Sequence, residues 1–289
     1  MKQQLINWSL FIALSVIWGS SFLLMKIGLE TLSAYQVAAM RIFSAGLVML
    51  PFLVKSLKGI PAQQRLFVVL SGVLGSFFPA FLFCIAETQI SSALTGMLNS
   101  LTPLFTIIVG VLFFKLPVSV QKWVGVIIGL IGLVALLLPN GKIDINNLGY
   151  ASLVLLATVF YALNVNMVGK TLKGVPSIAI ASVAFSALII PSGFILWQTG
   201  YFNLPITTNG YWQSSLSAAV LGIVGTAFAS ILFYRLLKNA GALFASMVTY
   251  GIPFVAVGWG LVYGETISWL QVISLAIILA GVYIANRNK

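Results

Sequence analysis

The sequence has no histidine, a single cysteine (Cys84) and only four acidic residues, Glu30, Glu87, Asp144 and Glu265. Without histidine the commonest general base and metal ligand is gone. The pattern offers no paired carboxylates, no serine-based triad and no metal-ligand cluster, so a membrane enzyme is the weakest reading and neither metal nor other cofactor is expected. One cysteine cannot form an intramolecular disulfide, and it leaves the redox compartment open. Charged residues make up 7% of the chain, whereas a soluble domain carries roughly a quarter. The net charge is +11, but the basic residues are too scattered for a nucleic-acid patch, and no nucleic-acid partner is expected.

What fills the chain instead is hydrocarbon. Of 289 residues, 60% are hydrophobic, and the mean hydropathy is +1.09. Apolar runs of about twenty residues recur along the whole length, the signature of helices that cross a bilayer. The alternation of an outer-membrane barrel is missing. Ten spans are predicted, near 7–26, 34–54, 66–86, 91–114, 120–138, 148–168, 176–197, 213–236, 242–263 and 268–286. Lys2 leads into a first segment long enough to stay as a span, so no cleavable signal peptide is expected. The polar, uncharged loop near 198–212 is the longest connection, and no soluble domain fits anywhere.

The charges carry topology. With the N-terminus inside, Lys2, Lys55, Lys58, Arg65, Lys115, Lys122, Lys170, Lys173, Arg235, Lys238, Arg287 and Lys289 fall on the cytoplasmic side. Only Lys26 and Lys142 fall outside, together with all four acidic residues. Cytoplasmic loops are rich in Lys and Arg, and one missed span would scramble the alternation after it. Both termini are therefore expected in the cytoplasm.

A shift of 150 residues lays spans three to five on spans eight to ten without a gap. Gly72, Gly75, Pro103, Gly110 and Gln121 meet Gly222, Gly225, Pro253, Gly260 and Gln271. The first span resembles the sixth more loosely, at an offset near 143. Each half then holds five spans, an odd number, so the second half enters the membrane inverted. The expected fold is an all-α integral membrane protein of ten transmembrane helices, built as two inverted-topology five-helix repeats (1–143 and 144–289) around a central cavity. Such repeats mark secondary transporters, with the site at mid-membrane.

WGSSFLLMK in the first span, Arg41 in the second, ISSALTGMLNSLTPLFT and QKWVGVIIGLIGLVALL resemble the first half of an EamA-type member of the drug/metabolite transporter superfamily. The run GALFASMVTYGIPFVAVGWGLVYGETISWLQVISLAIILAGV is similar to its second half. The resemblance implies a ten-helix carrier of the bacterial inner membrane, of a kind that often exports amino acids and other small metabolites. One departure stands out. The family often places Gly-Glu after both proline-containing helices; the second copy here is Gly264-Glu265, but the first reads Phe114-Lys115.

Candidate site residues follow from polar stripes in apolar helices. Ser92, Gly96, Asn99, Pro103, Thr106 and Gly110 share one face of the fourth span, and Ala242, Ser246, Thr249, Pro253, Ala256 and Gly260 share one face of the ninth, with Tyr250 beside them. Pro103 cannot donate to the carbonyl of Asn99, nor Pro253 to that of Thr249. Each half thus frees a carbonyl near mid-membrane, which is tolerated where it lines a wet cavity. For the Gly and Ala positions close helix packing is the favoured reading, and for Asn99 and Thr249 the cavity is. The eighth span adds Gly222, Thr226, Ser230 and Tyr234, the first Trp18, Ser21 and Met25, and the sixth Tyr161 and Asn164, with Asn166 on another face. An aromatic ring beside amide and hydroxyl groups suits a small amphipathic solute such as an amino acid.

Arg41 is the one full charge clearly inside a span. A structural or gating ion pair with Glu87 or Glu30 is the favoured reading, with substrate contact as the alternative. No acidic residue sits at mid-membrane, so coupling runs through Glu87 and Glu265 or the protein is a uniporter; facilitated or weakly coupled export is expected. The alternative classes are a channel or a lipid flippase. The bilayer and a small solute are the expected partners, in a monomer or homodimer.

Overall fold

The computed structural model describes residues 2–137 and 145–286. The expected boundary between halves at 143–144, and the charges Lys142, Asp144, Arg287 and Lys289, lie outside the described residues. Everything regular among the described residues is helical. The chain runs through α1 (Lys2–Leu29), α2 (Ala34–Met49), α3 (Leu53–Lys58), α4 (Ala62–Gly72), α5 (Phe78–Ala86), α6 (Ser92–Asn99), α7 (Thr102–Phe114) and α8 (Val120–Leu136). It continues through α9 (Ile145–Thr171), α10 (Ser177–Ala187), α11 (Ile189–Gln198), α12 (Asn209–Gly222), α13 (Ala229–Ser246), α14 (Gly251–Val262) and α15 (Trp269–Asn286).

Seven helical segments are long and apolar enough to cross a membrane: Gln3–Leu29, Ala34–Lys58, Ala62–Ala86, Ser92–Phe114, Leu148–Thr171, Ser177–Gln198 and Gly210–Val262. The last is 53 residues long and turns at Gly241, whose φ of 85° lies in the left-handed region that favours glycine. Val120–Leu136 and Trp269–Ala285 are shorter apolar helices. Large apolar side chains stand exposed around the outside, among them Phe113, Ile190 and Leu112. In water such a surface would be costly; against lipid it is what a spanning helix presents.

Local chemistry sets the ends and breaks. Ser33 caps α2 in a capping box with Gln36, and Ser91 caps α6 through the Leu94 amide. Pro79 follows a π-helical segment, Val73–Phe77, and a second π-helical segment covers Ile223–Phe228. Pro103 separates α6 from α7, and a 3-10 turn, Met247–Tyr250, precedes α14. Each break bends a helix where a neighbour packs against it.

Two long helices organise the packing. α1 lies against α12, α13 and α14, while α9 lies against α4, α5, α6 and α7. α2 packs on α5, α10, α11 and α12. α8 and α15 form an antiparallel pair whose backbones nearly touch: a Cβ on Gly281 would meet the Gly129 amide and the Gly125 carbonyl. α2 approaches α12 just as closely, because a Cβ on Gly222 would strike the Arg41 carbonyl and the Ser44 hydroxyl. That contact fixes the height of Arg41 in the bundle.

Candidate functional site

Between α1, α9 and the two π-helical segments lies a cavity of about 80 Å³ for water centres, several times the roughly 10–15 Å³ that admits one water. Six of its lining residues are aromatic. Trp18 packs on Phe233 with centroids 5.2 Å apart, Phe22 on Phe83 at 5.8 Å, and Phe83 stacks on Tyr161 at 5.9 Å. Ser21, Asn99, Asn164, Thr226, Ser230 and Thr249 bring polar groups into the same space.

The π-helical segments shape this wall. Asn164 sits flush on Gly75, where a Cβ would collide with its amide. Ser21 sits on Gly225, where a Cβ would come within 2.9 Å of its hydroxyl. The indole Nε1 of Trp18 donates to the Gly225 carbonyl at 2.9 Å. A widened turn exposes carbonyls to side-chain donors in this way, and here the donor is an aromatic side chain of the cavity wall.

Of the residues singled out from sequence, Trp18, Ser21, Asn99, Tyr161, Asn164, Thr226, Ser230, Tyr234 and Thr249 line the cavity. Pro103 and Pro253 are buried in the helix contacts outside its lining, and Tyr250 packs at the edge of the hydrophobic core. The carbonyl of Asn99 is not free for a ligand: the Thr102 hydroxyl donates to it at 2.7 Å. Asn166 donates to the Thr106 and Ala162 carbonyls, a packing role away from the cavity. Met25, singled out from sequence, lines it too; Phe22, Ser76, Phe83, Thr102 and Phe233 also line the cavity, although the sequence did not single them out. Most are apolar and look like any lipid-facing or core residue; Ser76, inside a widened turn next to Gly75, is the one with a sequence signal.

Arg41 lines the cavity and is 7% exposed. It forms no ion pair with Glu87 or Glu30, contrary to the expectation from sequence. Its Nε instead donates to the Thr226 hydroxyl at 2.7 Å, and Nη1 lies 4.0 Å from the Met25 sulfur. Thr226 lies four residues beyond Gly222, the point where α12 closes on the Arg41 backbone, so Arg41 reaches the second π-helical segment.

At the end of the bundle away from the chain termini, Lys26 pairs with Glu265 at 2.8 Å. Glu265 also accepts from the Ser92 and Ala93 amides at the start of α6, at 3.1 and 3.0 Å. One carboxylate thus ties α1, α6 and the α14–α15 turn together. Burial opposes its ionisation, but the Lys26 and amide hydrogen bonds and the Lys26 charge outweigh that and hold the carboxyl below its usual range. Glu87, just beyond the end of α5, is the opposite case. Both its carboxyl oxygens are buried without a hydrogen-bond partner. Burial, then the nearby Glu265 charge, push it well above the usual carboxylate range against the pull of Lys26 and Arg41.

At the terminal end, Phe114, Leu116, Asn166, Lys170, Lys173, Lys238 and Gly241 border a wider cleft of about 470 Å³.

A bundle of apolar helices around an enclosed, ring-lined cavity with a few polar groups is a membrane protein shaped to hold a small molecule. The chain belongs to the EamA-like transporter family, whose profile matches residues 6–138 and 148–287. It is 27% identical to the inner membrane transporter YedA of Escherichia coli K12 over 282 residues, 96% of this chain and 89% of the relative. Protein PagO of Salmonella typhimurium is 26% identical, covering 95% of this chain and 91% of the relative. The S-adenosylmethionine uptake transporter of Rickettsia prowazekii is 31% identical over 209 residues, 71% of this chain and 65% of the relative. A solved crystal structure matches in fold with a TM-score of 0.65 at 17% identity, covering 99% of this chain and 98% of the other.

Proposed function

We propose that the protein is a secondary carrier that moves amino acids or related amphipathic solutes across the inner membrane by alternating access. The carrying observation is the composition of the cavity wall: six aromatic rings, from α1, α5, α9 and α13, with hydroxyl and amide groups between them. An amphipathic solute needs both surfaces at once. The Rickettsia relative's named cargo, S-adenosylmethionine, itself carries an amino-acid group, which supports this solute class.

In this reading the chain is two inverted five-helix repeats with both termini in the cytoplasm. The π-helical segments 150 residues apart support it, as do the breaks at Pro103 and Pro253. So does the pairing of Ser21 with Gly225 and of Asn164 with Gly75. Trp18 and Ser21 stand 143 residues before Tyr161 and Asn164, so each repeat gives one ring and one polar group to a shared site. The Lys26–Glu265 clamp then closes the outer face, and the lysine-bordered cleft is the cytoplasmic mouth. Transport is facilitated, so the solute gradient sets direction, and a solute concentrated in the cytoplasm is exported.

Counterflow in proteoliposomes tests this. Preloading with unlabelled L-leucine or L-threonine should accelerate uptake of the labelled solute several-fold. Uptake indifferent to the contents of the vesicle would mean a channel, and its absence for every amphipathic solute tried would refute the carrier.

A further inference from the structure

Arg41 is a fully charged group in a cavity that offers it no countercharge. The cavity lining contains no Asp or Glu. Among the described residues the ion pair is Lys26–Glu265, and its carboxylate is committed there and to two amides. Glu87 is the other acid within electrostatic reach, and its buried oxygens accept no hydrogen bond. A guanidinium carries five N–H donors; one is spent on Thr226 and one points weakly at Met25. No other acceptor is bonded to the guanidinium, and Arg41 is one of the residues that line the cavity. Buried cations without a partner are costly, and they persist in membrane proteins where function uses them.

One buried polar atom of a lining residue has no hydrogen-bond partner. The Oδ1 of Asn164, a residue 4% exposed, is buried without a donor, on the wall carried by α9. The site therefore has donors lacking an acceptor and an acceptor lacking a donor, with rings between.

We infer that Arg41 is the counter-ion for an anionic group of the transported solute, with the Asn164 carbonyl accepting from that solute's amino or other N–H group. The geometry matches a zwitterion: carboxylate on the planar fork of Arg41, where two parallel hydrogen bonds form, ammonium at Asn164, and an apolar side chain among the rings. This rests on the carrier reading and specifies the solute: anionic or zwitterionic, not cationic or neutral. Thr226 takes the Nε proton and so aims the fork, which makes it a positioning residue.

The test compares L-leucine with L-leucinamide, its carboxamide counterpart, in counterflow by purified protein in liposomes. The wild type should favour L-leucine at least tenfold. Arg41→Gln should bring the ratio of the two solutes close to one, and Arg41→Lys should fall between, since lysine keeps the charge but not the fork. A ratio unchanged in R41Q, or equal transport of both solutes by the wild type, overturns the inference while leaving the carrier reading intact. Failure of the wild type to carry any anionic, neutral or cationic amphipathic solute removes the carrier reading and the inference with it. If R41Q does not reach the membrane, the wild-type ratio and R41K decide. Thermal stabilisation of the wild type by L-leucine but not by leucinamide supplies a readout free of variants.

Discussion

The Lys26–Glu265 clamp and the central cavity treat charge in opposite ways. At the clamp, Glu265 receives Lys26 and two backbone amides, so its oxygens are filled. In the cavity, Arg41 has one hydroxyl and a distant sulfur, and Asn164 Oδ1 has nothing. A saturated charge holds helices together; an unsaturated one adds little to the resting fold and is free to act on something that arrives. In the proposed carrier, the difference separates residues that keep the molecule shut from residues that wait for solute.

The largest effect should come from unmaking the saturated site. Glu265→Ala leaves Lys26 and two α6 amides without their acceptor. With Lys26 37% exposed, the loss should be about 2 kcal/mol, below the figure for a fully buried pair. Thermal unfolding in detergent should show it, and outward leak of preloaded solute should rise as the clamp opens.

A smaller effect separates the two glutamates by pH. Glu265 sits below the usual carboxylate range, so the clamp persists from neutral pH down and is lost only as pH falls through its lowered value. Glu87 sits above that range, so the folded protein binds more protons there than the unfolded chain, and its contribution to stability falls as pH rises toward the raised value. Melting temperature should therefore climb on mild acidification of the wild type, then drop in strong acid. Glu87→Gln should flatten the first change and keep the second. A first change that survives in E87Q would place the titration elsewhere.

The smallest stability effect should come from the cavity. Arg41→Met removes a buried cation that lacks a countercharge, so its stability should match the wild type or exceed it, within about 1 kcal/mol. A loss as large as that of E265A would show Arg41 to be structural and erase the contrast. The two variants belong in one thermal series.

How much of this was legible in the sequence varies with the kind of residue. Apolar runs mark the helices because backbone groups in lipid must be satisfied within them. The polar stripe through Asn99 and the ring positions Trp18 and Tyr161 announced cavity residues, since a polar or bulky aromatic group inside an apolar run needs a reason. Phe22, Phe83 and Phe233 gave no such sign, because a phenylalanine facing a cavity and one facing lipid read alike. The prolines misled in part. Pro103 does free the Asn99 carbonyl, but Thr102 beside it supplies the hydroxyl that takes it up. Arg41 was expected to seek a carboxylate, yet its Nε donates to Thr226, a neighbour visible only once α2 and α12 are docked. The π-helical segments were hidden for a related reason: their cause lies in the neighbours that fill the widened turns.

The most direct test of the central claim, that the solute occupies this cavity, is protection of a thiol placed in its wall. Ser230 lines the cavity, and Cys84 is the sole native cysteine, so Ser230→Cys in a Cys84→Ser background carries a single reporter. Saturating L-leucine should slow its maleimide labelling several-fold in liposomes where counterflow runs. An unchanged labelling rate while transport proceeds would place the pathway elsewhere and contradict the account.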